Sequence, residues 1–175
     1  MPEPTVIKNV SAIIVMGVSG CGKSTVAGLI AQALALPFRD GDSFHPASNV
    51  EKMRAGIPLT DEDRWPWLAA MAAWIESHRG RGETVVLACS ALKRVYRDAL
   101  RAGHDDVRFV FLKGTKEEIA ARLAARKGHY MPPSLLDSQL ATLEPPSADE
   151  RPITVSIMAT PEAIAAEALA QLRET

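Results

Sequence analysis

Apolar residues fall into two kinds of pattern along the chain. Short, mostly apolar runs, several rich in β-branched residues, lie at 10–16, 84–88, 107–112 and 153–157, the signature of strands buried on both faces. Between them, apolar positions return at helical spacing. Val26, Leu29, Ile30, Ala33 and Leu34 mark a helix over 23–36, which Pro37 ends. Phe38 and Arg39 read as the end of a further short strand. Helices are expected over about 91–102 and 116–126, and from Pro161, a residue suited to a first helical turn, towards the C-terminus. Apolar strands alternating with helices predict an α/β fold. Its form is a three-layer α/β/α arrangement around a central parallel five-stranded sheet.

Two segments interrupt the alternation. Residues 43–80 hold three tryptophans and the charge cluster Asp61-Glu62-Asp63-Arg64, and residues 127–150 hold Lys127-Gly128-His129-Tyr130, four prolines and a predicted short helix. In α/β proteins such insertions after strands carry function. Composition narrows the classes. With 175 residues, 47% hydrophobic and 23% charged, the chain has the size and make-up of one globular domain. A net charge of −1 gives no bulk basic footprint for nucleic acid. No run reaches the roughly 18 apolar residues of a membrane span, and Met1-Pro2-Glu3-Pro4 does not open a secretory signal. Cys21 and Cys89 form neither a disulfide framework nor a metal-type spacing. A cytoplasmic protein is expected.

The sharpest chemical signal is Gly17-Val18-Ser19-Gly20-Cys21-Gly22-Lys23-Ser24, followed by Thr25. It fits G-x-x-x-x-G-K-[ST] at every fixed position and sits between a predicted strand and a predicted helix, the context a phosphate-binding P-loop requires. Gly17, Gly20 and Gly22 let the backbone curl so that N–H groups converge on an anion. The helix N-terminus adds its dipole. Lys23 reaches the β- and γ-phosphates of ATP, and the Ser24 hydroxyl is a ligand for Mg²⁺. Cys21 has two readings: a small filler at a free motif position, or a thiol activated near a helix N-terminus.

The P-loop fixes the nucleotide and leaves the acceptor open. Asp40 and Asp42 in Asp40-Gly41-Asp42 follow the short strand. One carboxylate can take a proton from an acceptor hydroxyl while the other holds Mg²⁺ through water; equally, both can cap the next helix. The run 85–88 enters Cys89-Ser90-Ala91 without the acid that usually closes a second nucleotide-binding strand. Metal binding then leans on Ser24 and Asp40, which weakens motor and switch readings. Arg122 and Arg126 share a helix face at i, i+4. They either clamp the transferring phosphoryl group beneath a closing lid at about 127–135 or form a solvated face.

At this point the sequence resembles the gluconokinases of the small P-loop type, relatives of shikimate kinase and, more distantly, of nucleoside monophosphate kinases. The resemblance is carried by MGVSGCGKST (16–25), DGDSFHPASNVEKMRAGIPLTDEDRWPWL (40–68), CSALKRVYRD (89–98), FLKG (111–114) and RLAARKGHYMPPSLLDSQLATLEPP (122–146). It implies a P-loop NTPase fold of the nucleoside monophosphate kinase type, with an acceptor-binding insertion and a lid. It also implies ATP-dependent phosphorylation of gluconate at its 6-hydroxyl, and a homodimer. Another small hydroxy acid such as shikimate, or a nucleotide switch, is the alternative, and the 43–80 insertion argues for gluconate.

The resemblance also implies roles. Asp42 would orient and deprotonate the hydroxyl, and Asp40 would stand in the outer shell of Mg²⁺. Arg64 matches the arginine that grips the acceptor carboxylate, a bidentate task suited to guanidinium, although a pair with Asp61 would also explain it. Lys93 and Arg97, one turn apart, would add positive charge over the acceptor. His45, Lys52, Arg54, His129 and Gln139 would contact hydroxyls or carboxylate. Arg122 would stack on adenine, and Arg126 would touch the phosphates. Trp65, Trp67 and Trp74 read as packing.

Overall fold

The computed structural model of the chain describes residue 7 and residues 9–125 and 133–174. Among these, five strands form one parallel sheet: β1 (Ala12–Met16), β2 (Phe38–Asp40), β3 (Val85–Ala88), β4 (Val107–Lys113) and β5 (Ile153–Ser156), ordered β2-β3-β1-β4-β5. The helices are α1 (Lys23–Leu34), α2 (Ala47–Arg54), α3 (Asp61–Arg79), α4 (Arg94–Arg101), α5 (Lys116–Ala125), α6 (Pro133–Thr142) and α7 (Pro161–Arg173).

The continuous apolar runs have the predicted cause. Alternate residues of each central strand enter opposite cores. Ile13, Val15, Val86, Val110 and Leu112 pack with α1 and α7 residues such as Ile30 and Ile164 on one face. Ile14, Met16, Val85, Leu87, Phe109 and Phe111 pack with Leu68, Met71 and Ile75 of α3 and with Leu100 of α4 on the other. A strand buried on both sides has no polar face to show. Among the described residues no helix is long and apolar enough to cross a membrane.

Two helix boundaries differ from expectation. α1 stops at Leu34 because Ala35 turns left-handed (φ 53°) and the Leu36 N–H closes on the Ala31 carbonyl at 2.9 Å. The helix expected from residue 91 starts at Arg94. Ala91 is left-handed (φ 45°), Lys93 is extended, and residues 89–93 form a loop at the β3 end. Glu144, after α6, caps α4 by accepting the Arg94 N–H at 3.0 Å. Within 43–80, α3 starts in a capping box: Thr60 Oγ1 accepts the Asp63 N–H, and the Asp63 carboxylate accepts the Thr60 N–H.

Candidate active site

The loop between β1 and α1 is shaped by its glycines. Gly17, Gly20 and Gly22 have φ of 148°, 88° and 91°, a region that side chains resist. A Cβ on Gly20 would also stand 2.6 Å from Leu123 Cδ2, so α5 seats directly on the loop. The Gly20 and Gly22 amides have no partner among the described residues. Lys23 Nζ rests on the Val18 carbonyl at 3.2 Å. Cys21 is wholly buried within the curl, and burial pushes its thiol pKa up despite the nearby Lys23 charge. The structure therefore favours the filler reading over the activated thiol.

Next to this loop lies Asp40-Gly41-Asp42. Gly41 is required sterically: a Cβ there would meet the Ala88 carbonyl oxygen at 2.6 Å. That close approach brings the residues after β2 against the β3 end. The Asp40 carboxylate accepts the Ser24 hydroxyl at 2.6 Å and the Asp42 N–H at 2.9 Å. It thus caps the 3₁₀ turn Gly41–Phe44 and also meets the P-loop serine. The Asp42 carboxylate accepts no hydrogen bond and forms no ion pair among the described residues. Both aspartates line a cavity of about 440 Å³ together with Ser19, Lys23, Ser24, His45, Arg64 and Gln139.

The fit to a magnesium ion is testable on these side chains. The Ser24 hydroxyl and Asp40 carboxylate share one point, and no group of three His, Cys, Asp or Glu able to hold a metal exists among the described residues. That donor set suits Mg²⁺, which keeps several waters and takes oxygens from phosphate, and would not suit an ion needing an all-protein cage.

Another wall of the cavity is built by residues after β2 and by α3. The Trp67 indole donates to the Gly41 carbonyl at 2.7 Å, and its ring stacks on His45 (centroids 4.3 Å, interplanar 10°). Arg64 Nη1 donates to the Leu59 carbonyl at 2.9 Å and to Tyr96 Oη at 3.3 Å, with Asp61 Oδ1 at 3.9 Å. Asp61 also accepts the Tyr96 hydroxyl, which with Lys93 and Arg64 holds its carboxyl below the usual range.

The shikimate kinase family model matches residues 19–172. The chain is 50% identical over 155 residues to a gluconokinase of Gluconobacter oxydans (89% of this chain, 87% of that protein). It is 48% identical to the thermosensitive gluconokinase of Escherichia coli (81% and 76% covered). Among solved structures, a gluconokinase from Sinorhizobium meliloti superposes with TM-score 0.86 at 49% identity, covering 93% of this chain and 91% of that one. The chain belongs to the gluconokinase family, within the wider shikimate kinase family.

Membership makes it a P-loop kinase that uses a nucleotide, and sharpens how the expected gluconokinase residues are sorted. The P-loop, Asp40, Asp42, His45 and Arg64 come together as expected. Arg97 does not. It is 1% exposed, pairs with Glu150 at 2.8 Å and donates to the Ala91 and Leu92 carbonyls. Burial would raise the Glu150 pKa, but hydrogen bonds from Arg97, Arg101 and the Ser147 amide outweigh it and hold the group at about 2. Arg97 is a structural cation fixing the 89–93 loop. Gln139 lines the cavity and also latches α6 to the P-loop: its amide accepts the Ser19 N–H at 2.6 Å and donates to Ser19 Oγ at 3.0 Å.

Lys52 is committed to Asp63 at 2.8 Å, which draws that carboxyl down to about 2. Lys93 lies 3.4 Å from Asp61, and Arg54 is exposed at the end of α2; neither lines the cavity. Arg122 donates to the Ile157 and Ala159 carbonyls, which holds its guanidinium against the turn after β5. Arg126, His129 and Tyr130 lie outside the described residues. Trp67 and Trp74 are packed as expected, whereas Trp65 is exposed and meets Tyr96 edge-on. Sequence reasoning missed Asn49 and Tyr96, whereas Asp61, the partner it offered for Arg64, does lie 3.9 Å from that guanidinium. Asn49 alone carried a readable signal, its i, i+4 spacing from His45.

Proposed function

We propose that this protein transfers the γ-phosphoryl group of ATP to the 6-hydroxyl of gluconate, giving 6-phosphogluconate and ADP. The observation that carries the reading is Asp42. Its carboxylate, without a partner among the described residues, shares one cavity with the P-loop lysine and with Arg64. The acceptor's identity is supported by the names of the relatives and by Arg64, whose guanidinium suits a single carboxylate.

The chemistry follows from that arrangement. Loop amides and Lys23 hold the phosphates. Ser24 and Asp40 are the residues that would hold Mg²⁺, which when bound neutralises phosphate oxygen charge. Asp42 orients the hydroxyl and takes its proton. The hydroxyl oxygen forms a bond to the γ-phosphorus as the bond to the ADP oxygen breaks, so catalysis is largely positioning and charge stabilisation. Arg122, held by two carbonyls, offers a flat face to adenine. Arg126 and His129, in the expected lid, complete the reading from sequence.

ADP release measured with gluconate, shikimate, glucose and nucleoside monophosphates in turn tests it. Turnover is expected with gluconate and near background with the others. Equal ADP release in buffer alone would overturn the kinase reading, and faster turnover of shikimate would reassign the acceptor.

A further inference from the structure

His45 lines the cavity beside Asp42 and Arg64, and its hydrogen bonding determines where its proton sits. Asn49, one turn further along, is 1% exposed. Its Nδ2 lies 2.8 Å from the Asp63 carbonyl oxygen and 3.2 Å from His45 Nδ1. A carbonyl can only accept, so the Asn49 amide must turn its NH₂ group towards Asp63. The same NH₂ group then turns its second hydrogen on His45 Nδ1, which must offer a lone pair. The ring proton of His45 is thereby forced onto Nε2.

The surrounding packing keeps this arrangement rigid. Asp63 is held by Lys52 and by the capping box with Thr60, so the carbonyl that orients Asn49 cannot rotate away without opening the start of α3. Trp67, fixed by its bond to Gly41, supports the ring face. Burial first, and then the charge of Arg64, lower the His45 pKa against the opposing pull of Asp42.

We propose that Asn49 is a positioning residue that locks His45 as the neutral Nε2–H tautomer, presenting a hydrogen-bond donor to an acceptor hydroxyl. This rests on the gluconate reading and deepens it. A neutral donor recognises a hydroxyl oxygen without competing with Arg64 for the carboxylate. It also leaves no cation on the ring, whereas the charge of an imidazolium would act on Asp42 across the cavity and weaken it as a base. Nε2 is the polar ring atom left for substrate, since no other bond to the ring forms among the described residues.

The test combines a spectrum with kinetics. Two-dimensional long-range ¹H–¹⁵N spectra of the histidine rings, with His45 assigned through His45→Gln, should show Nδ1 bare and Nε2 protonated at neutral pH in the intact enzyme. A protonated Nδ1 overturns the proposal. In Asn49→Ala the ring should lose this preference, and KM for gluconate should rise about tenfold, the weight of one neutral hydrogen bond, with kcat and the ATP KM little changed. An unchanged gluconate KM, or a loss confined to kcat, overturns it. If Asn49→Ala fails to fold, the wild-type spectrum decides alone. Wild-type protein inert towards gluconate would sink the proposed function, while the ring spectrum would still report the hold of Asn49 on His45.

Discussion

The P-loop and the proposed acceptor pocket share one cavity but are built by opposite means. The cradle is main chain: one local loop, three glycines in positive-φ conformations and a helix start, with Lys23 the main side-chain contribution. The acceptor pocket is side chain: Asp42 and His45 come from one 3₁₀ turn and Arg64 from α3, and Asn49, Asp61, Asp63, Tyr96 and Trp67 hold them in place. A backbone cradle binds any triphosphate tail, because each amide is the same. A pocket of buttressed side chains selects among acceptors, because each donor and acceptor has a fixed position.

That contrast breaks most sharply at its two ends. Lys23→Ala should lower kcat/KM by about a thousandfold, as expected for removing a donor aimed at the charge that develops on the phosphoryl group. Asp42→Asn should lower kcat by about a hundredfold or more, the span of general base catalysis, while the ATP KM stays near wild type. Steady-state kinetics with each substrate varied separates the two. A normal kcat in Asp42→Asn would make this carboxylate a turn residue and leave the acceptor side without a base.

A different kind of effect is expected where a cation thought to belong to the pocket proved structural. Arg97→Met leaves Glu150, 1% exposed, with Arg101 as its remaining arginine. Removing one partner of a buried ion pair costs about 3 kcal/mol, so the denaturation midpoint should fall clearly. The gluconate KM of the folded fraction should stay at its wild-type value. A raised KM with undiminished stability would return Arg97 to the substrate.

These cases show what a sequence exposes and what it hides. The sheet was legible because burial on both faces imposes continuous apolar runs, and the P-loop because its glycines sit at fixed local spacing. At Asp40 and Asp42 the sequence left chemistry and capping open; Asp40 does cap a turn, and the chemistry of Asp42 is what the kinetics decide. Arg97 and Lys52 misled because charge and polarity are readable in a chain whereas partners are not. Their partners Glu150 and Asp63 lie 53 and 11 positions away. Tyr96 stayed hidden for the same reason, its hydrogen bond to Asp61 spanning 35 positions.

The smallest effect is expected at Cys21, the one P-loop side chain with two opposed readings. A helix N-terminus and the neighbouring lysine favour a thiolate, but burial outweighs both and the thiol pKa is raised. At neutral pH the group therefore holds less thiolate than an ordinary cysteine, and reagents must wait for the loop to open. Iodoacetamide should modify native protein slowly, with modification and inactivation accelerating only once denaturant exposes the chain. ATP should add little further protection. Rapid loss of activity in native protein, with Cys21 alkylated and ATP blocking the loss, would show that the cradle carries a reactive side chain after all and is less purely a backbone device than the acceptor pocket beside it.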